Sequence, residues 1–321
     1  MNGPSIKTLR PETLTWDTAQ RLFLLRCRAQ NVAESTQELY GLRLRGFVGW
    51  AAANGAASPA DVEAAQLRAF IEARRASGNR PNTIDVYFRI LRTFWRFLFR
   101  DGLVLRNPME QLTRPKLERK FIKPITEEQL RALLAAIDTR DPLGLRDHAL
   151  ILFLADTGLR ISEALSLQIS DIDWGSGSLT VMGKGRKERR VAFGQVAGRM
   201  LRLWLQRRGG ASESDPLWIN RLGGRMDRRN FQQRMKQHTT RAGIAAERLS
   251  PHALRHFFAL SFLRNGGDVM ALQKLLGHSS LAMVRNYVNM TDDDALQAHR
   301  RASPLDKLGA VPGEVRRVRL R

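Results

Sequence analysis

Residues 250–288 read SPHALRHFFALSFLRNGGDVMALQKLLGHSSLAMVRNYV and gather His252, Arg255, His256, His278 and Tyr287. His252 and Arg255 are three apart, so they share one face of a helix. They fall in the first turn after Ser250-Pro251, where unpaired backbone N–H groups and the helix dipole favour an anion. A His, an Arg and a helix N-terminus converging there point to a phosphate. Upstream, Arg160 stands in TGLRISEALSL, and Lys184 in GKGRKER. Arginines grip non-bridging phosphate oxygens with a planar fork of donors. A lysine protonates a departing alkoxide. A tyrosine hydroxyl attacks phosphorus and forms a covalent intermediate. Only about one phenol in a thousand is ionised at pH 7, so cations and a base must assist. His252 suits that proton transfer. The chain has three tyrosines, and Tyr40 and Tyr87 fall on periodic helices where packing explains them, which leaves Tyr287.

Two other chemistries compete. His252 and His256 have an i, i+4 spacing that suits zinc, as in a metal-dependent nuclease. Against it, no carboxylate cluster stands beside them and Arg255 lies between, so no metal is expected and His256 is read as packing internally. A DNA-binding protein without catalysis leaves the gathering of Arg, Lys, His and Tyr unexplained. Arg160 and Glu163 are i, i+3 neighbours, either an ordinary ion pair or an arginine held by Glu163 to grip a ligand.

The elements that must carry these residues are mainly helical. Helical segments are expected over about 17–27, 35–53 (capped by Ser35), 60–76 and 82–100. The last has Ile84, Tyr87, Phe88, Leu91, Phe94, Trp95 and Leu98 at helical spacing. Arg89, Arg92, Arg96 and Arg100 ride on its polar side with no alternating acids, which favours phosphate contact over a solvated face. Residues 107–124, rich in proline and cations, read as an extended linker. A second domain opens at Thr126-Glu127-Glu128, with a further helix over about 145–156. Two β-prone runs, 179–182 and 189–193, make a hairpin with Lys184 at its tip; the spacing is not that of a P-loop. Helices follow over about 195–208 and 227–242, and 217–220 looks strand-like. Ser250 caps one helix and Asn265-Gly266-Gly267 ends it. Asp268 caps the next, Gly277 ends it, and Ser280 caps a short third carrying Tyr287.

Composition narrows the partners. There are 53 Lys and Arg against 31 Asp and Glu in 321 residues, a formal net charge of +22. That excess points to a polyanion. The one cysteine, Cys27, excludes an internal disulfide and a Cys-based zinc site. No apolar run reaches membrane-spanning length.

With these residues in hand, the chain resembles the tyrosine recombinase (phage integrase) family, which includes lambda integrase, Cre and the Xer proteins. TGLRISEALSL (157–167), GKGRKER (183–189), HALRH (252–256) and LGHSSLAMVRNY (276–287) stand in the family's order. The resemblance implies a mainly α fold. A helical, SAM-like core-binding domain (1–106) and a linker (107–124) precede an α-rich catalytic domain with a small antiparallel sheet (125–298). A tail (299–321) is expected, by the same resemblance, to dock on a neighbouring subunit. By the resemblance, Arg160 and Arg255 would bind the scissile phosphate, Lys184 would protonate the leaving 5′-oxygen, and His252 would assist proton transfer. Likewise His278 would hydrogen-bond the phosphate, Tyr287 would attack, and Glu163 would orient. Arg89, Arg92 and Arg96 are expected on DNA. The implied activity is site-specific recombination through a 3′-phosphotyrosine and a Holliday junction, with no cofactor. The implied partners are double-stranded DNA sites and a homotetramer, or a heterotetramer with a paralogous recombinase, with no membrane, in a prokaryotic cytoplasm at the nucleoid. The polar tail favours integration or excision of a mobile element over Xer-type dimer resolution.

Overall fold

The computed structural model describes residues 14–117, 125–183, 188–210, 212–245 and 249–277. The chain divides into two compact units, Met1–Lys120 and Phe121–Arg321.

Among the described residues the first unit has four α-helices: α1 (Trp16–Ala29), α2 (Glu34–Ala53), α3 (Ala64–Ala76) and α4 (Pro81–Arg100). α4 is its centre, because the apolar spacing expected from sequence buries Phe88, Leu91, Phe94, Trp95 and Leu98 together. Trp16 and Phe47 close on Trp95 edge to face, with Phe47 and Trp95 5.3 Å apart at 89°, and Phe70 meets Phe47 the same way. Two helix starts differ from expectation. α2 is capped at Ala33, not Ser35. Residues Pro59–Asp61 form a 3-10 turn rather than the start of α3, because the Asp61 carboxylate accepts from the Ser58 N–H and closes the turn early. The stretch after residue 107 is not extended at its start. Pro108–Gln111 is a 3-10 helix with Met109 buried in this unit's core. Arg114 then donates to both oxygens of Asp85 at 2.7 and 3.0 Å.

In the second unit α5 (Glu127–Ala135) starts with a capping box between Thr126 and Gln129. α6 (Pro142–Thr157) is the central helix, with α8 (Gln195–Arg208) and α10 (Pro251–Arg264) packed on it. It starts a turn earlier than its apolar pattern suggests, since Asp141 accepts from Leu143 and Gly144 and Pro142 occupies the first helical position. α7 (Ile161–Ser166) follows. The sheet is antiparallel in the order β1-β2-β3: β1 (Ile172–Asp173), β2 (Ser178–Met182) and β3 (Glu188–Ala192). Its register pairs Leu179 with Val191 and Met182 with Glu188. β1, two residues long, has no periodicity to detect. The 217–220 run makes only one isolated bridge, from Ile219 to Arg225, although Trp218 is fully buried. α9 (Arg228–Arg241) and α11 (Val269–Leu276) complete the described elements.

A polar cluster reaches into this core around buried Asp147. Asp147 receives Arg146 Nε at 3.0 Å and Nη2 at 2.6 Å, and Arg234 Nε at 2.6 Å; His238 Nε2 lies 2.9 Å away. Burial raises the Asp147 pKa, but the His238 contact and the two guanidinium groups outweigh it and hold the carboxyl below its ordinary range. The cluster fixes α9 against α6.

Candidate active site

The site grows from the ends of three helices. α6 stops at Gly158, whose φ of 63° is left-handed. Glycine is needed there for space too: a Cβ would sit 2.2 Å from a ring carbon of Phe258 on α10. The turn delivers Arg160 to the N-cap of α7. Glu163, one helical turn on, accepts from the Arg160 backbone N–H at 2.9 Å and from its Nη1 at 2.8 Å. Arg160 stays about one third exposed while Glu163 is buried. Glu163 therefore holds Arg160 rather than forming a surface pair with it.

Arg255, one turn into α10, is 2% exposed. Its Nη1 donates to Gly158 O at 2.7 Å and its Nη2 to Leu276 O, at the end of α11, at 2.8 Å. Ser250 caps α10 by accepting from the Ala253 N–H, and Asp268 caps α11 by accepting from Ala271, both as the sequence indicates. Gly277 ends α11 with φ 64°. Arg255 is thus built into the junction of α6, α10 and α11, and Arg160 sits two residues beyond that junction.

His252 lies on the exposed side of the first turn of α10. Partial burial of its ring, then the charges of Arg255, Arg160 and Arg228, push its pKa below the ordinary histidine value. A shift in this direction favours the neutral ring, the form that accepts a proton. His256, half-buried, is shifted the same way by burial and by its neighbours His252 and Arg255. Among the described residues no group of three or more His, Cys, Asp or Glu side chains is placed to hold a metal ion.

Arg189, on β3, escaped sequence reasoning. It donates Nη1 and Nη2 to the two oxygens of Glu163 at 3.1 and 2.8 Å, and Nε to Leu275 O at 2.9 Å. Burial raises the Glu163 pKa, but these bonds and the Arg160 contacts outweigh it and keep the carboxyl ionised. No local pattern links residues 26 apart, and only the run RKER hinted at a role.

Of the site residues expected from sequence, Arg160, Glu163, His252 and Arg255 converge on this junction. Lys184, His278 and Tyr287 lie outside the described residues, as do the third helix after Ser280 and the tail from 299. Arg89, Arg92 and Arg96 are in the other unit. They line a groove of about 490 Å³ between α2 and α4 with Tyr40, Ile90 and Thr93. Their side is not free of acids, because buried Asp85 accepts from Arg89 Nε at 3.0 Å. Arg92 and Arg96 are exposed. No helix among the described residues is long and apolar enough to cross a membrane.

Residues 123–294 match the model of the phage integrase family. Tyrosine recombinase XerC of Xanthomonas campestris pv. campestris is 35% identical over 279 residues, covering 87% of this chain and 85% of that protein. Tyrosine recombinase XerD of Yersinia pestis is 36% identical over 286 residues, covering 86% and 93%. Among solved structures, the Tn1549 transposon integrase in complex with transposon right end DNA aligns with a TM-score of 0.72 at 20% identity, covering 89% of this chain and 99% of that one. A lambda integrase dimer bound to a COC′ core site aligns with a TM-score of 0.70 at 15% identity, covering 84% and 97%. These two share the fold. Because the family match spans more than half of the chain and the Xer relatives extend over most of it, the chain belongs to the phage integrase family and is a tyrosine-type site-specific DNA recombinase.

Proposed function

We propose that Tyr287 is the nucleophile and that Arg160 and Arg255 hold the scissile phosphate. The phenol oxygen attacks phosphorus and forms a 3′-phosphotyrosine, while the bond to the 5′-oxygen breaks. His252, favoured in its neutral form, takes the phenol proton. Lys184 gives a proton to the leaving 5′-oxygen. His278 hydrogen-bonds a phosphate oxygen, and Glu163 orients Arg160. The 5′-hydroxyl of a partner strand then attacks the phosphotyrosine and restores the ester, so bond energy is conserved and no cofactor enters the balance. Four subunits on two duplexes exchange strands in pairs through a Holliday junction, with residues 299–321 docking on a neighbour. Arg89, Arg92 and Arg96 contact the DNA backbone from the first unit. The protein works where prokaryotic DNA lies, in the cytoplasm.

The observation that carries this reading is the interlock of Gly158, Arg160, Glu163 and Arg255. It brings two guanidinium groups to one helix junction, with the His252 imidazole near enough for both charges to act on it, the arrangement a phosphodiester needs. Incubation with a nicked suicide duplex tests it. Wild-type protein should accumulate a covalent protein–DNA adduct in EDTA, and Tyr287→Phe should bind the same duplex and form none. An adduct retained by Tyr287→Phe would refute the assignment.

We place the biological role in integration or excision of a mobile element, supported by the polar tail and by the fold shared with a transposon integrase. The 35–36% identity to XerC and XerD supports a second reading, resolution of chromosome or plasmid dimers. Inverted repeats or element ends flanking the gene would decide for the first.

A further inference from the structure

Arg189 bridges two parts of the site with a single side chain. One edge of its guanidinium donates to both oxygens of Glu163, the carboxylate that also holds Arg160. Its Nε donates to Leu275 O, next to the carbonyl of Leu276 that receives Arg255. The side chain is about one tenth exposed. Gly277 leaves it room, since a Cβ there would lie 3.2 Å from Arg189 Nε.

We propose that Arg189 is a positioning residue for strand cleavage, which sets Arg160 through Glu163 and locks the end of α11 to the same point. The proposal rests on the reading that Arg160 and Arg255 hold the scissile phosphate. The geometry requires arginine. Three N–H groups in a fixed plane satisfy a bidentate carboxylate on one side and a carbonyl on the other. A lysine carries one rotating ammonium and cannot span both. Without Arg189, Glu163 keeps only Arg160 and is free to swing with it, while the end of α11 loses one of its two guanidinium ties. Arg189 is thus arranged to hold the residues that touch the phosphate. Displacement of those groups by about 1 Å suffices to slow chemistry about a hundredfold.

The test compares wild type, Arg189→Met, Arg189→Lys and Tyr287→Phe on the nicked suicide duplex. Each variant is assayed at a temperature where its thermal transition shows it folded, and the lysine variant, close in volume and charge, decides if the methionine variant does not fold. DNA affinity is measured alongside the rate of adduct formation at saturating protein. The expected result is a loss of about 10- to 100-fold in rate for both Arg189 variants with affinity within about twofold of wild type. Combining Arg189→Met with Glu163→Gln should be slower than the slower single variant by no more than about twofold, since both act through one carboxylate. Rates within about twofold of wild type, a loss confined to affinity, or additive losses in the double variant would overturn the role of Arg189. An adduct absent from wild type, or equal in Tyr287→Phe, would instead overturn the reading beneath it.

Discussion

Gly158→Ala is the substitution that best separates a shaped helix junction from a loose one. Residue 158 has a φ of 63°, and the left-handed region costs an L-residue about 1–2 kcal/mol. The new Cβ would also lie 2.2 Å from Phe258 Cδ1, 2.8 Å from Cε1 and 2.9 Å from Leu276 Cδ2. No real contact is so short, so the Phe258 and Leu276 side chains, or the helices that carry them, must shift, and overpacking of this kind costs about 1–3 kcal/mol. Together the two effects give about 2–5 kcal/mol. Phe258 is only half-buried and its ring has some room to turn, which favours the lower end. For a unit of about 200 residues each kcal/mol moves the transition by about 2–4 °C, so the expected drop is roughly 4–20 °C. Thermal unfolding followed by circular dichroism measures it. The same shift displaces the Gly158 carbonyl that anchors Arg255. Adduct formation on the suicide duplex, assayed where the variant is still folded, should fall about a hundredfold. A transition within about 1 °C of wild type, together with an unchanged cleavage rate, would refute the argument.

Other outcomes follow from the same geometry. Asp147→Asn leaves Arg146, 1% exposed, beside a neutral partner, and should cost about 3–5 kcal/mol in a denaturant titration. In wild type the contribution of Asp147 is present above the ordinary carboxyl range and is lost as pH falls through its lowered folded pKa. Unfolding curves recorded down the acid range should therefore converge for wild type and Asp147→Asn, and parallel curves would count against the cluster. Arg228→Gln removes one of the cations that depress His252. The imidazole pKa in the free protein, followed by NMR, should rise; an unchanged or lower value would show that this charge does not reach the ring. Arg92→Gln with Arg96→Gln should weaken DNA binding and flatten its dependence on log salt by about two units of slope, one for each phosphate no longer neutralised. An unaltered slope would remove these arginines from the interface.

The parts of this fold that could be read from the chain are those decided within one or two helical turns. Ser250, Asp268 and Thr126 cap their helices because a side-chain oxygen meets an N–H three residues on. Gly158 and Gly277 end theirs because few other residues accept a positive φ. The pairing of Arg160 with Glu163 was visible for the same reason. What holds the site together was not visible. Arg255 reaches carbonyls 97 and 21 residues away, Arg189 finds Glu163 at a separation of 26, and Asp147 finds His238 at 91. Main-chain acceptors carry no residue signature, so nothing in the letters marks Gly158 or Leu276 as an anchor. The Asp61 turn and the cap at Asp141 were local yet missed, since neither interrupts the apolar pattern used to place the helices. Asp85 was overlooked as a partner of the α4 arginines because it lies on the buried face, one turn before Arg89.

The two guanidinium groups at the end of α11 clasp consecutive peptide oxygens rather than any side chain. The letters at positions 275 and 276 are consequently free to drift as far as core packing tolerates, with the grip intact. The helix's length has no such freedom. Each residue added to or removed from α11 would rotate its last oxygens by about 100° around the axis, swinging both away from their arginines at once. Change in this segment should therefore accumulate as exchanges of one residue for another, while gains and losses of residues are confined to the chain outside it.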